Sequence, residues 1–447
     1  MSEEQTERAD GRRKTFPSGF HRLPAAERRR VLEELLPFDE EEKRATCPDP
    51  FLLELSDLMV ESSVGSVPVP LSVASRFPID GEFVHVPMAV EEPSVVAAAT
   101  YAARILGRGG GLSTWSTDPV MTAQVFLTGV PESAMAEIAR REHEIGAEVD
   151  RRLSSLEARG GGFRGIETAR LAESGVVRVQ VRVDVRDAMG ANILDTAAEL
   201  VSRRLEAITG GRALMGILTN AAEGRRAGAV FRLPHRHLVH ATDGAFRSEE
   251  LAARIVTASM VAQEDPRRAV THNKGIMNGI SSLALATGND TRAVEAGAHA
   301  WAARDGCYRG LSTYRLEDGE LVGSIELPLA LGTVGGAVGF HPATRFSLRI
   351  LDWPDARRLA RIAAALGLAQ NFAALLALVS GGIQRGHMRL HAARVAYRAG
   401  ARGAEVELVR RRMVEAGRYD AACADRLLKE LRRDHRRGAD GGEAERT

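Results

Sequence analysis

Residues 176–185 read Val-Val-Arg-Val-Gln-Val-Arg-Val-Asp-Val, in which apolar and polar side chains alternate from Val177 onward. Because successive side chains of a strand point to opposite faces of its sheet, the alternation predicts a strand with one buried and one exposed face. The stretch Ala-Gln-Val-Phe-Leu-Thr-Gly at 123–129 and one long helix near residues 131–159 are predicted before this strand, and another helix follows Asp187. Strand, helix, strand and helix in this order predict a compact module of helices and sheet.

The composition of the chain shifts on both sides of this module, near residues 112 and 221. We therefore predict that the module is inserted into one larger domain formed by the residues on either side of it. The predicted fold class of the whole chain is α+β. The predicted segments are a large, mostly helical domain of residues 13–111 and 222–382, the inserted module 112–221, a helical C-terminal segment 383–435, and disordered tails 1–12 and 436–447.

Charge and cysteine content exclude several classes of protein. The 447 residues carry 60 basic and 59 acidic side chains, a balance that gives no electrostatic basis for binding nucleic acid or an anionic membrane. The three cysteines are widely spaced, which predicts a reducing compartment without a disulfide framework or a cysteine metal site. A charged N-terminus that lacks an apolar stretch predicts a cytoplasmic protein.

One apolar segment is long enough to cross a bilayer. Residues 362–384 form a run of 23 residues without a charge. Gln370, Asn371 and Ser380 interrupt the run, and its many alanines make it only mildly hydrophobic. The segment is therefore predicted to be a buried helix of a soluble protein.

Lys274 lies in the segment with the strongest chemical pattern. Residues 268–280 read Arg-Ala-Val-Thr-His-Asn-Lys-Gly-Ile-Met-Asn-Gly-Ile, and Gly275 and Gly279 would let a ligand approach the backbone. The turn-type sequence Thr-Gly-Asn-Asp ends at Asp290, whose carboxylate is a candidate partner for the ammonium. A lysine held against a carboxylate can stabilise an oxyanion, whereas most lysines are solvated surface residues. The residue pattern alone leaves both interpretations open.

Five stretches, the Lys274 segment among them, resemble the 3-hydroxy-3-methylglutaryl-coenzyme A (HMG-CoA) reductase family in the family's own order. The other four are the Glu-containing segment 59–98, Asp-Ala-Met-Gly-Ala-Asn at 187–192, Gly-Thr-Val-Gly-Gly at 332–336, and Gly-Ile-Gln-Arg-Gly-His-Met at 382–388. The chain is most similar to the soluble bacterial, class II form. The resemblance implies interconversion of HMG-CoA with mevalonate and CoA, using two NAD(P)H.

The resemblance also implies that the inserted module binds the nicotinamide cofactor as a ferredoxin-like, non-Rossmann domain. Residues 160–165 match GxGxxG by letter, but a helical pattern precedes them and strands follow. A Rossmann fingerprint lies between a strand and a helix, so a flexible turn is an equally good interpretation. By resemblance, the cofactor-binding residues are Arg164 and Gly165 at the ribose and Asp187, Met189, Gly190 and Asn192 in the dinucleotide loop.

Gly165 bears on the choice between NADPH and NADH. NADH-preferring members of the family carry an aspartate at the matching position, which would accept from the ribose 2′-hydroxyl and repel a 2′-phosphate. Gly165 removes that repulsion, and Arg164 and Arg170 add positive charge nearby. The sequence therefore favours NADPH, or use of both cofactors.

The catalytic roles implied by the resemblance involve four residues. Lys274 would hold the developing oxyanion and Asp290 would orient it. A protonated Glu61 would donate to the aldehyde-stage oxygen, and His387 would protonate the departing thiolate. Substrate contacts are implied for Arg268, which would pair with the free carboxylate, and for Asn220, Asn278 and Gln370.

The family pattern further implies a homodimer whose active site lies at the subunit interface, with possible assembly into a hexamer. Gly382 and Gly386 suggest a hinge that would let a C-terminal flap carry His387 onto the substrate. No metal is implied, although His387 and His391 are spaced so that a helix would place them on one face. Two alternatives stay open: a metal-dependent acyl-CoA hydrolase using these histidines, and a catalytically silent CoA-binding homologue with a regulatory role.

Overall fold

The computed structural model describes residues 17, 19–47, 49–241, 246–380 and 392–443 of the chain. Its strands are β1 Leu71–Ile79, β2 Glu82–Ala89, β3 Leu112–Ser116, β4 Val120–Thr128, β5 Gly162–Arg170, β6 Val177–Asp184, β7 Arg212–Leu218, β8 Arg226–Pro234, β9 Ser312–Glu317 and β10 Glu320–Pro328. Within the described residues they form a six-stranded sheet of order β2-β1-β3-β8-β10-β9 and a four-stranded sheet of order β5-β6-β4-β7.

Helices cover both sheets and both ends of the described chain. Those before the second sheet and within it are α1 Ala25–Leu35, α2 Glu40–Thr46, α3 Pro50–Met59, α4 Val95–Leu106, α5 Ala134–Arg140, α6 Glu142–Arg152, α7 Ser154–Glu157 and α8 Ala191–Thr209. The later ones are α9 Ser248–Glu264, α10 Pro266–Ala286, α11 Thr291–Ala302, α12 Gly336–Phe340, α13 Pro342–Ile350, α14 Ala356–Ser380, and two further helices, Ala404–Glu415 and Ala421–Glu443. Short 3₁₀ helices occupy Phe20–Arg22, Gly107–Gly109 and His235–Ala241.

The core of the larger unit lies between the six-stranded sheet and helices α4, α10 and α14. Helix α14 contains the apolar run seen in the sequence, and it is long and apolar enough to cross a membrane. In its most apolar window, 78% of the residues are buried inside the protein. The prediction of a core helix is confirmed.

Glycines bring α10 and α14 into close contact. A side chain at Gly367 would lie 2.7 Å from Ile280, and one at Gly279 would lie 3.2 Å from Leu366 and 3.3 Å from Gln370. The expectation that Gly279 opens the backbone to a ligand is therefore wrong, because its bare face meets α14. Gly275, in contrast, has no atom near its missing side chain.

The four-stranded unit follows the order β4, helices α5–α7, β5, β6, α8, β7, and every described pair in its sheet is antiparallel. The strand predicted at 176–185 is β6, with its four valines buried on one face as the alternation requires. The helix predicted after Asp187 is α8. The single helix predicted near 131–159 is wrong, since the chain breaks there into three shorter helices.

Two predicted boundaries need correction. β3 pairs with β8 from Leu112↔Phe231 to Ser116↔Ala227, so its backbone hydrogen bonds belong to the larger sheet and the inserted unit begins after Ser116, not at residue 112. The last helix runs to Glu443, so residues 436–443 are helical and not a disordered tail. The predicted tail 1–12 lies outside the described residues.

Candidate active site

Lys274 lies on the surface of α10, and its ammonium donates to the Glu92 carboxylate with an Nζ–Oε2 distance of 2.7 Å. The helix begins with Pro266 at its first turn, and the Asp265 side chain caps it by accepting from the Arg267 amide. The Lys274 side chain is 60% exposed. An exposed ion pair adds little stability, but it holds a positive charge at a defined place that a ligand can reach.

Glu92 is positioned by a sharp turn between β2 and α4. The chain leaves β2 at Ala89, and Ser94, in the left-handed conformation with φ 74°, precedes the first residue of α4. This turn lets the chain reverse while the carboxylate reaches α10. Reasoning from the sequence missed Glu92, although the Glu91-Glu92-Pro93 triplet lies inside the segment that carried the resemblance.

Glu61, the carboxylate expected in the active site, does not lie beside Lys274. It lies exposed on the turn after α3, and within the described residues no hydrogen bond or ion pair is formed by its carboxylate. The adjacent Ser62 has φ 59°, which marks a tight reversal of the chain. The structure therefore brings Glu92, rather than Glu61, to Lys274.

Asp290 is also separated from Lys274 within one chain. α10 continues for 12 residues beyond Lys274 to Ala286, which corresponds to about 18 Å of helix at ~1.5 Å per residue. Asp290 caps α11 instead, accepting from the Arg292 and Ala293 amides at 2.9 and 3.2 Å. The expected intrachain bond between Asp290 and Lys274 is therefore not formed, since a rigid helix holds the two groups apart.

A buried hydrogen-bond network lies on another face of α10. Asn371 Oδ1 accepts from both Ser312 Oγ and Tyr314 OH, each over 2.9 Å. Because the single hydroxyl proton of Ser312 is thereby used, its oxygen accepts from His272 Nε2–H at 2.7 Å. Burial, assisted by the charge of Arg268, lowers the pKa of His272 to about 3. His272 is therefore a neutral residue that joins α10 to β9 and α14.

The predicted substrate contacts lie in different surroundings. Arg268 is half-buried one turn before His272, and burial lowers the pKa of its guanidinium. Asn278 is half-buried one turn beyond Lys274, on the same face of α10. Gln370 is buried in α14, with its Oε1 atom lacking a hydrogen-bond partner among the described residues. Asn220 is exposed on the turn after β7.

The predicted dinucleotide loop begins α8 and touches the Gly-Thr-Val-Gly-Gly segment. Gly190 has φ 110° and is the N-cap residue of α8, so no capping side chain covers the N-terminus of the helix beside the loop. The backbone oxygen of Asp187 accepts from the Thr333 and Val334 amides at 2.8 and 3.3 Å, and Ala188 forms a parallel bridge with Val334. Met189 is half-buried in the loop and Asn192 lies exposed in the first turn of α8. A helix N-terminus entered through glycine suits a phosphate group.

A cavity of about 820 Å³ adjoins Gly165 in the same unit. Gly165 has φ 136° at a bulge of β5, a conformation that side-chain-bearing residues rarely adopt. The charged residues that line the cavity are Arg140, Glu142, His143, Asp150, Arg151, Glu157 and Arg164.

Two of the acids in this cavity are already engaged. Glu142 accepts from the Ile166 amide at 2.9 Å, and Asp150 accepts from the Phe163 amide at 2.6 Å. Arg170, expected to add charge at the ribose, instead donates to the Gly175 and Val130 carbonyls. The positive charge near Gly165 therefore comes from the lining arginines and from Arg182, whose Nη2 atom would lie 2.8 Å from a side chain at Gly165. Arg164 is itself paired with Asp184 at 3.1 Å.

His387, His391 and the glycines of the expected hinge lie outside the described residues. Within the described part of the chain, no group of three or more His, Cys, Asp or Glu side chains could hold a metal ion.

Known relatives identify this chain as an oxidoreductase that uses a nicotinamide cofactor. Comparison with known proteins specifies the family. The family model described as hydroxymethylglutaryl-coenzyme A reductase matches residues 24–392, and the chain belongs to that family, in its class II form.

Individual relatives agree with this placement. The chain is 44% identical to the 3-hydroxy-3-methylglutaryl-coenzyme A reductase of Archaeoglobus fulgidus over 93% of its own length and 94% of the relative's. It is 37% identical to a probable reductase of Borreliella burgdorferi, over 74% and 76% of the two chains. Among solved structures, the class II reductase of Streptococcus pneumoniae bound to NADPH in open conformations has 39% identity and a TM-score of 0.71, over 91% of this chain and 99% of that one.

Proposed function

We propose that this protein interconverts HMG-CoA with mevalonate and CoA, with consumption or formation of two NAD(P)H. The observation that carries the proposal is the accessible Lys274 ammonium held 2.7 Å from Glu92 in a chain of this family. Reduction of a thioester carbonyl creates negative charge on oxygen, and a preorganised cation stabilises that charge. An oxygen that has accepted electrons must also be protonated, which requires an acid beside the cation.

The roles of the chain's own groups follow from that geometry. Lys274 binds the carbonyl oxygen as negative charge develops on it, and Glu92 orients Lys274 through their hydrogen bond. Glu92, in its acid form, can donate a proton to the same oxygen, the role that the family resemblance implied for Glu61. His387 remains the expected proton donor to the CoA thiolate. Arg268 would pair with the free carboxylate of the substrate, with Asn220, Asn278 and Gln370 as further polar contacts.

The nicotinamide cofactor fits the four-stranded unit, whose β-α-β-β-α-β order is that of ferredoxin-like domains. Gly190 opens the N-terminus of α8 to a diphosphate, and Asp187, Met189 and Asn192 surround that entrance. The cavity beside Arg164 and Gly165 would receive the ribose end. When bound, the cofactor supplies the hydride, whereas the residues named here bind and orient it.

NADPH is the proposed cofactor, with NADH as an alternative donor. Gly165 offers no carboxylate to a 2′-phosphate, and Glu142 and Asp150 are bonded to backbone amides of β5. His143 and Arg151 line the same cavity and form no described ion pair. The similar Streptococcus pneumoniae reductase was solved with NADPH bound.

A homodimer is proposed because one chain does not bring Asp290 to Lys274. A second copy can deliver Asp290 across a two-fold interface, since such an interface repeats each contact in both directions. Large apolar side chains are exposed in residues 58–67, including Leu58 (70% exposed), Val60 (60%) and Val67 (86%). Burying these groups would favour association. A cytoplasmic location, a C-terminal flap and a hexamer remain predictions.

The test follows absorbance at 340 nm with HMG-CoA and either NADPH or NADH. Two cofactor molecules oxidised per CoA released is the expected stoichiometry, and Lys274→Ala should reduce kcat by at least ~10²-fold. Lys429→Ala is the matched control, because Lys429 is an exposed lysine of the last helix, paired with Asp425. A folded protein that oxidises neither cofactor, or an active Lys274→Ala variant, would contradict the proposal.

A further inference from the structure

Arg225 is a buried arginine at the connection between the two sheets. It is 4% exposed and lies between Ala222, whose carbonyl accepts from its amide, and the first residue of β8. Its guanidinium has no carboxylate within ion-pair distance among the described residues. Burial lowers the pKa of Arg225 to about 10, and the charges of Asp187 and Asp184 oppose that fall. The guanidinium therefore stays charged at neutral pH, and its burial requires other polar partners.

Those partners are three backbone carbonyls from two loops. Arg225 Nη1 donates to the Ala188 and Met189 oxygens at 2.9 and 3.1 Å, and Nη2 donates to the Leu331 oxygen. We call the two segments, residues 187–190 and 331–334, the loop junction. One guanidinium thus holds the predicted dinucleotide loop to the end of the larger sheet. A planar fork of donors suits this role, whereas a single ammonium could not reach both loops in the same way.

The loop junction is tight. A side chain at Gly332 would overlap the backbone nitrogen of Met189 and lie 3.1 Å from the Asp187 oxygen. The Asn289 side chain bonds Gly332 on both sides, accepting from its amide at 2.7 Å and donating to its oxygen at 3.1 Å. Asn289 directly precedes Asp290. The dinucleotide loop, Gly332 and the segment bearing Asp290 therefore form one hydrogen-bonded unit.

We infer that Arg225 is a positioning residue that fixes the cofactor loop relative to the Asp290 segment. The inference rests on the proposed function, because it assigns the loop at 187–190 to the cofactor. The Arg225 guanidinium is buried against backbone carbonyls, so its effect on the reaction passes through the loop junction. Loosening the junction should weaken cofactor binding and leave the thioester site on α10 intact.

The test compares Arg225→Lys with Arg226→Lys. Arg226 is the next residue and the first of β8, with a side chain 32% exposed and paired with Glu326 at 2.8 Å, so its variant controls for loss of a neighbouring guanidinium. Calorimetric titration should show NADPH binding weakened by at least about tenfold in Arg225→Lys, the effect of losing roughly one charge-assisted hydrogen bond. HMG-CoA binding should change by less than about twofold. Hydrogen exchange should accelerate at residues 329–336, where the Thr333 amide bonds Asp187, and not in β8.

Three results of these measurements would contradict the positioning role of Arg225 or the proposed function. Unchanged NADPH affinity and unchanged exchange in Arg225→Lys would overturn the positioning role. Equal weakening of both ligands, with a lower melting temperature, would also overturn it by showing general destabilisation. If Arg225→Lys does not fold, Gly332→Ala disturbs the same junction from the other loop and must give the same pattern. A wild-type protein that binds neither ligand would refute the proposed function, while the exchange measurement would still test whether Arg225 holds the junction.

Discussion

The Lys274 ammonium donates to the carboxylate of Glu92, a residue 182 positions earlier in the sequence. Helix α10 separates Asp290 from the same lysine. The first carboxylate reaches Lys274 because β2 and α4 are joined by a sharp turn against α10. The second lies beyond the end of that helix. One chain thus supplies a lysine–glutamate pair, and in the proposed homodimer the remaining aspartate would come from another copy.

Glu92, and not Glu61, should be essential for turnover. Glu92→Gln removes the acid beside Lys274 and should lower kcat by about 10²- to 10³-fold, the range expected for a general acid. Glu61→Gln should stay within about twofold of the wild type, since Glu61 is exposed and unpaired among the described residues. Steady-state rates at 340 nm provide the measurement, with Glu91→Gln as the neighbouring control. An inactive Glu61→Gln variant beside an active Glu92→Gln variant would restore the assignment made from the sequence.

Mixing two inactive variants should restore activity if Asp290 acts across a subunit interface. Lys274→Ala and Asp290→Asn remove groups that the proposal places in one composite site from two chains. A mixed dimer then contains one doubly altered site and one intact site, so random exchange of subunits should recover about a quarter of the wild-type rate. Size-exclusion chromatography must show that the variants dimerise. If dimers exchange subunits and no activity returns, Asp290 does not complete the Lys274 site of a partner.

Gly165→Asp should shift cofactor use toward NADH. The new carboxylate would face a 2′-phosphate, and this repulsion should lower the NADPH to NADH ratio of kcat/KM by at least about tenfold. The substitution also strains a backbone at φ 136°, at a cost of about 1–3 kcal/mol in unfolding free energy. Gly175→Asp is the control for an aspartate added at a glycine of positive φ outside the cavity, since Gly175 has φ 67° and no atom near its missing side chain. A ratio that changes equally in both variants would remove Gly165 as a determinant of cofactor choice.

His272 should make the protein less stable in mild acid. Its pKa is lowered from 6.5 to about 3 in the folded chain, so the unfolded chain binds the extra proton between those values. The stabilising effect is complete above pH 6.5 and is lost as pH falls toward 3, with a slope of up to about 1.4 kcal/mol per pH unit. His272→Gln, which can still donate to Ser312, should flatten this dependence. Urea unfolding of both proteins at pH 5 and pH 7.5 gives the comparison, and parallel losses of stability would contradict the assignment.

Much of the fold could be predicted from local patterns in the sequence. The alternating valines of β6 and the long apolar run of α14 determine a half-buried strand and a core helix because each pattern repeats with the period of its element. The break of the predicted 131–159 helix into three pieces was missed, since helical composition there continues through the breaks. The boundary at residue 112 was misplaced because a short strand can pair with either sheet, and the partner of β3 is a distant segment.

By itself, the sequence determined which chemical groups are present: a lysine among glycines and amides, a pair of glutamates before α4, and a glycine-containing loop before α8. Only the tertiary structure decided which carboxylate meets Lys274, that Gly279 meets α14, and that Arg225 joins two loops. The period and the capping residues of a single helix or strand lie close together in the sequence, so such an element can be predicted from the sequence alone. Contacts between residues 182 positions apart depend on how turns and helix lengths direct whole elements, which no local pattern records.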